Sequence, residues 1–136
     1  MPKPETPLLT TDCIAIDNAG RVVLIRRKNP PFEGSYALPG GFVDVGETVE
    51  DACRRELKEE TGLDAGELTL VGVYSSPDRD PRFHTASVVF LTGIGNQVPV
   101  AGDDAAHAEL VEDWRRIDFA FDHGQVMRDA ERLLKR

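Results

Sequence analysis

The chain has 136 residues, enough for one domain, residues 1–136, with a core of its own. Sixteen Lys and Arg against 24 Asp and Glu leave a net charge of −8, which weighs against nucleic acid or an anionic membrane as the main partner. The opening MPKPETPLLTTD has no signal-peptide apolar segment, and the longest uncharged run, 85–102, is broken by Asn, Gln, Pro and Gly, so a soluble cytoplasmic protein is expected.

Residues 13–17 (CIAID) and 21–27 (RVVLIRR) flank the turn NAG and predict a β-hairpin. Side chains alternate along a strand, so of Arg26 and Arg27 only one can face a cleft, and Arg27 is taken as that one. Cys13 and Cys53 stand in apolar settings without CxxC spacing and read as reduced core thiols. SYALPGGFVDVGE then gives short extended pieces around a glycine pair. Thr48 opens a helix with Asp51 as the other half of a capping box, and Gly62 stops it, with Leu63 placed for the hydrophobic contact beyond.

That helix carries Glu56, Glu59 and Glu60 three and four positions apart, where helical side chains are neighbours. At about 100° per residue, with Glu56 as zero, Glu59 falls near −60° and Glu60 near +40°. Val49, Ala52, Cys53 and Leu57 share that arc, whereas Asp51, Arg54 and Lys58 lie on the far side. A run of charge is usually a solvated face. Here the wheel turns the glutamates toward the protein body, where like charges repel and lose hydration. A cation resolves that conflict, and all-oxygen ligation suits Mg²⁺ or Mn²⁺.

Residues 67–76 and 84–94 predict strands, joined by the polar loop PDRDPRF, and a further strand is placed at about 108–113. In that loop Arg79 and Arg82 offer planar forks for phosphate or ribose oxygens. Their plainer reading is as loop ion pairs with Asp78 and Asp80. The closing FDHGQVMRDAERLLKR predicts a second helix, with Asp122 as cap, Gln125 completing the box and Phe121 stapling onto Val126. Val126, Met127, Ala130, Leu133 and Leu134 form its packing stripe. This order of strands and two helices predicts an α/β layered domain with a mixed sheet.

The stretch GFVDVGETVEDACRRELKEETGL, Gly41 to Leu63, resembles the Nudix box. The pattern is Gly, five residues, Glu, seven residues, then Arg-Glu-aliphatic-x-Glu-Glu-x-Gly-aliphatic. Gly41, Glu47, Arg55, Glu56, Leu57, Glu59, Glu60, Gly62 and Leu63 fill every fixed place over 23 positions. The flanking elements also resemble that family, so the likeness covers nearly the whole chain. It implies an α/β/α sandwich with a mixed β-sheet and a loop-helix-loop catalytic motif. It also implies Mg²⁺- or Mn²⁺-dependent hydrolysis of a nucleoside diphosphate linked to another group. Carried over, Glu56, Glu59 and Glu60 would ligate metal, with the Gly40 carbonyl as a further ligand. Arg55 joins them in the catalytic set and pairs with Glu47, and Gly41 and Gly62 are structural.

SSPDRDPRFHTASVVF, GDDAAHA and FAFDH resemble the ADP-ribose pyrophosphatase subgroup, which implies ADP-ribose as substrate, with the proline-containing loop bordering its terminal ribose, and a homodimer; Arg27, Arg79 and Arg82 are the candidate substrate contacts. Related sequences often read GDDAAEA, with a glutamate that binds metal or acts as base. His107 stands in that place here. The general base is therefore open among His107, Asp103, Asp104 and Glu109, with His84 and His123 as weak candidates. The alternatives are a Nudix enzyme for a nucleotide sugar, dinucleotide or oxidised nucleoside triphosphate, and a ligand-sensing module without turnover. Retention of all three glutamates, and a chain that ends directly after its second helix, favour the enzyme. A purely structural acidic domain fits poorly with inward-facing glutamates.

Overall fold

A computed structural model of the chain describes residues 2–101 and 105–134, with side chains from 107 onward in the second span. The elements run β1 (Leu8–Asp17), β2 (Val22–Arg27), β3 (Tyr36–Ala37), β4 (Gly40–Phe42), α1 (Val49–Thr61), β5 (Leu68–Tyr74), β6 (Thr85–Gly95) and β7 (Ala105–Val111). A 3₁₀ turn (Trp114–Arg116) and α2 (His123–Leu134) complete the order. The sheet has strand order β3-β2-β1-β6-β5, with β4 also on β1 and β7 on β2. β1 and β6 are parallel from Leu8 opposite Thr85 onward, and the other pairings are antiparallel, so the sheet is mixed.

β1 begins earlier than the hairpin reading placed it. Its first half pairs with β6 on one side and β4 on the other, long-range partners that a hairpin pattern does not reveal. The strand read at 108–113 lies at Ala105–Val111, and the 3₁₀ turn takes up the shift.

Alternation along β1, β2 and β6 sends side chains to opposite faces and builds two core layers. Cys13, Ala15, Val23 and Phe90 pack with Cys53 and Leu57 of α1. Ile14, Val22, Leu24 and Val89 pack with Val126, Met127 and Ala130 of α2. The result is the α/β/α sandwich the sequence predicts. Both cysteines are buried free thiols. Among the described residues, no helix is long and apolar enough to cross a membrane.

Both ends of α1 follow the predicted caps. Thr48 Oγ1 accepts the Asp51 N–H, and Gly62, at φ 73°, donates its N–H to the Lys58 carbonyl. The α2 entry differs. The Asp122 carboxylate accepts both prongs of Arg79, Gln125 turns to Asp129 and Arg128, and Phe121 packs toward Ile25, Ala37 and Ala120. Local capping rules lost there to an ion pair with a distant loop. In the predicted stripe, Leu134 is 56% exposed.

Gly62 sets the exit of α1, and nothing crowds the position, since an added Cβ would meet only the Val100 carbonyl at 3.9 Å. Gly62→Ala should therefore be destabilised by about 1 kcal/mol from the left-handed backbone alone, lowering Tm by roughly 2–8 °C. Gly62→Asn should lose less, because Asn tolerates that conformation. Thermal melts of the two variants check this, and an alanine variant as stable as the parent would contradict it.

Candidate active site

Arg55 organises the approach to α1. A guanidinium has five N–H donors in a rigid fork, and Arg55 uses them in several directions. Nε donates to Glu47 Oε2 at 2.7 Å, and Nη2 donates to Glu47 Oε1 at 2.9 Å and the Phe42 carbonyl at 3.0 Å. Nη1 donates to Glu56 Oε1 at 2.9 Å and Glu59 Oε2 at 3.2 Å. Glu47 also accepts the Asp44 N–H. Its hydrogen bonds to Arg55, aided by that N–H, hold the Glu47 carboxyl down at about 2. One residue thus ties the helix to the loop before it.

The three glutamates do not share one environment. Glu60 is buried and the Glu56 side chain is 14% exposed, but the Glu59 side chain is 55% exposed. The inward arc therefore holds two of the three, and Glu59 stands at its rim beside Arg55. Glu60 Oε2 accepts the Gly40 N–H at 3.3 Å. Burial, and then the charge of Glu56, push the Glu60 carboxyl up to about 9. Burial also raises Glu56, against the opposing pull of Arg55.

The glycine pair makes this approach possible. A Cβ on Gly41 would stand 2.7 Å from the Glu56 carboxylate, and one on Gly40 would stand 2.2 Å from the Thr11 carbonyl oxygen. Among the described residues, no three His, Cys, Asp or Glu side chains stand grouped so that they could hold a metal ion as they are.

Beside this corner lies a cavity of about 210 Å³, with Gly40, Gly41, Phe42 and Glu60 in its wall. Arg27, Arg79 and Arg82 line it too, so all three arginines singled out in the sequence meet there. Arg27 Nε donates to the Pro31 carbonyl at 2.6 Å, and its guanidinium lies 4.8 Å from the Phe121 ring centroid. Arg26 points elsewhere, to Tyr36 and the Gly34 carbonyl, as alternation requires. Arg79 is nearly buried, and its partners are Asp122, at 2.8 and 2.9 Å, and Thr85. The loop pairing weighed for it is not the one formed. Arg82 does pair with Asp80, through two bonds of 3.1 and 2.8 Å.

The three histidines, equally weak in the sequence, separate in the structure. His107 is exposed on β7, against Glu109, which also accepts the Tyr36 hydroxyl. His84 Nε2 contacts the Ser75 carbonyl. His123 is buried and lines the cavity. Asp103 and Asp104 lie outside the described residues.

Sequence reasoning missed Asp12. It is a buried carboxylate in the cavity wall that accepts the Ser87 hydroxyl and faces His123 Nε2 at 3.5 Å and Arg79 Nη2 at 3.8 Å. Burial alone would raise it, but His123, Ser87 and Arg79 together hold it below the usual range. Its signal was an acid inside the apolar run TDCIAI.

The Glu47–Arg55 pair gives a pH dependence. Glu47 is depressed from 4.5 to about 2, so its contribution to stability is complete above pH 4.5 and is lost as pH falls through 2. In EDTA, the Tm difference between the parent and Glu47→Gln should be largest above pH 4.5 and narrow steadily toward pH 2. A difference that does not change with pH would contradict the pairing.

The NUDIX domain family model matches residues 6–134. An ADP-ribose pyrophosphatase of Methanocaldococcus jannaschii is 49% identical over 126 residues, covering 93% of this chain and 74% of that protein. The NUDIX domain of Shewanella oneidensis NrtR, solved with ADP ribose, superposes with TM-score 0.89 at 26% identity, covering 96% of this chain and 90% of that one. A Francisella tularensis bifunctional NMN adenylyltransferase/ADP ribose pyrophosphatase, solved with AMP and a Mn ion, gives TM-score 0.78 at 29% identity, covering 96% of this chain and 42% of that one. With the box, the sandwich and the glutamate corner in agreement, the chain belongs to the Nudix hydrolase family.

Proposed function

We propose that the chain hydrolyses the diphosphate bond of ADP-ribose, releasing AMP and ribose 5-phosphate, with Mg²⁺ or Mn²⁺ as cofactor. The observation that carries this reading is Glu60. It is a buried carboxyl pushed up to about 9, beside Glu56, at the end of a cavity that three arginines line. The 49% identical ADP-ribose pyrophosphatase supports the substrate.

The donor set fits a hard divalent cation, because it offers only oxygen. Glu56, Glu59 and Glu60, with the Gly40 carbonyl, would hold it. Burial and the charge of Glu56 push the Glu60 carboxyl up to about 9, and a bound cation would balance the charge that these oppose. When bound, such an ion offsets the charge developing on the phosphoryl oxygens and lowers the pKa of a water.

The chain's own residues do the rest. Arg55 fixes Glu56 and Glu59 from the helix side, so that neither has to be ordered when substrate arrives. Arg27 is the best placed of the arginines for phosphate. A carbonyl and a ring hold it, whereas Arg79 and Arg82 each already bond a carboxylate. Those two serve better as rigid walls that present remaining N–H groups to ribose oxygens. On a chain of net charge −8, this recess gathers Arg27, Arg79 and Arg82 in one wall, which favours an anionic small molecule there over the rest of the surface.

A second reading, an ADP-ribose sensor without turnover, draws on the NrtR neighbour. The complete glutamate set favours the enzyme. A phosphatase-coupled release assay over ADP-ribose, ADP-glucose, diadenosine polyphosphates and nucleoside triphosphates, in Mg²⁺ and in Mn²⁺, tests both. ADP-ribose should show the highest kcat/KM, and Glu59→Gln and Glu60→Gln should each lower kcat about a hundredfold or more. Better turnover of triphosphates would overturn the substrate, near-normal variants would overturn the metal corner, and tight binding of ADP-ribose without cleavage would favour the sensor.

A further inference from the structure

Leu38-Pro39-Gly40 is the short stretch that leaves β3 and opens β4, and three parts of the fold converge on it. Its carbonyl at Pro39 accepts the Cys13 N–H of β1 at 2.8 Å. Proline has no N–H, so the link has two backbone donors. Gly40 gives its own to Glu60 of α1 at 3.3 Å, and Leu38 gives its own to His123 Nδ1 at 3.0 Å. The two donors of one three-residue link thus go to two side chains on opposite layers of the sandwich.

His123 is the first residue of α2 and is only 4% exposed. A neutral imidazole accepts on one nitrogen and donates from the other. With Nδ1 accepting from Leu38, the proton sits on Nε2, which faces Asp12 Oδ1 at 3.5 Å. Asp12 in turn lies directly against Gly40. Its Oδ1 is 2.5 Å from where a Cβ on Gly40 would stand, and the two residues are register partners between β1 and β4. The Phe121 ring packs beside the imidazole, with centroids 5.4 Å apart. His123 therefore reaches Gly40 by two routes, along the backbone through Leu38 and through space by way of Asp12.

The same geometry argues against proton transfer to substrate by His123. One ring nitrogen is taken by a buried amide, and the other directs its proton at a carboxylate. A group so engaged can set the position of its neighbours but has nothing spare for a reacting oxygen.

We propose that His123 is a positioning residue for the Gly40–Glu60 corner, fixing where the Gly40 carbonyl and the Glu60 carboxyl stand and thereby the affinity for a divalent cation. This rests on the metal-dependent reading above. The test is a Mn²⁺ titration of the full chain, following free Mn²⁺ by electron paramagnetic resonance, for the parent, His123→Phe and His123→Asn. His123→Phe removes both polar contacts at similar volume and should raise the Kd for Mn²⁺ about tenfold or more. His123→Asn retains an oxygen acceptor for Leu38 and should recover part of that loss. At saturating Mn²⁺, KM should stay within about twofold of the parent value, which a general loosening of the cavity would not allow.

A second measurement uses the parent alone and stands even if His123→Phe does not fold. Saturating Mg²⁺ should slow amide hydrogen exchange at Leu38 and Gly40 together, because one clamp holds both. A folded His123→Phe with parental Mn²⁺ affinity, or protection at Gly40 with none at Leu38, would overturn the proposal. A parent that binds no Mn²⁺ would overturn the metal-dependent reading itself, and the proposal with it.

Discussion

Two carboxylates on the inward side of one helix are the constraint around which the rest of this structure is arranged. Glu56 and Glu60 are four residues apart on α1, and both are largely withdrawn from water. Burying a carboxylate without a partner is costly enough that the group sheds its charge instead. Glu60 does so, rising to about 9, while Arg55 supports Glu56. Each neighbouring feature follows. Gly40 and Gly41 have no side chain because the Asp12 and Glu56 carboxylates occupy that space. Arg55 spans helix and loop because several acids must be held by one cation. Such an arrangement has low stability value on its own terms, and its use lies in what it can bind.

The cavity adds a second tension. The chain is acidic overall, yet arginines line the recess beside the glutamates. Asp122 and Asp80 hold two of them in fixed poses. Their counter-charges come from Asp122, the residue just before α2, and from the 77–83 loop, which ties the far layer of the sandwich to the same recess. The Asp12–His123 contact does likewise for β1 and α2. Both core layers thus meet at the site through polar contacts.

What the sequence could show was what depends on local spacing. The caps of α1, its inward arc and the alternation that sends Arg27 and Arg26 apart are all short-range patterns, and the structure repeats them. The places where sequence reasoning failed are those where a distant partner decides. Asp122 looks like a helix cap but serves Arg79, 43 residues away. Arg79 looked like a partner for its loop neighbours for the same reason. His123 was only a weak candidate for the general base until Leu38, 85 residues back, was placed against it. Asp12 has no local pattern at all beyond being a charge in an apolar strand. Glu59 was read as inward because a helical wheel cannot see where the protein body stops.

The central claim is that the buried glutamate corner is built for a cation. It is tested most directly by thermal melts of the parent and of Glu60→Gln, each in EDTA and with saturating Mg²⁺ or Mn²⁺. Binding to the folded state alone adds about 1.4 kcal/mol at ten times Kd, a rise of a few degrees at roughly 2–8 °C per kcal/mol. The parent should show that rise. Glu60→Gln keeps the shape and replaces a buried carboxyl, pushed up to about 9, with a group that is neutral at every pH, so it should melt at or above the parent in EDTA and gain less from metal. A parent indifferent to saturating metal, together with a Glu60→Gln variant destabilised in EDTA, would contradict the account.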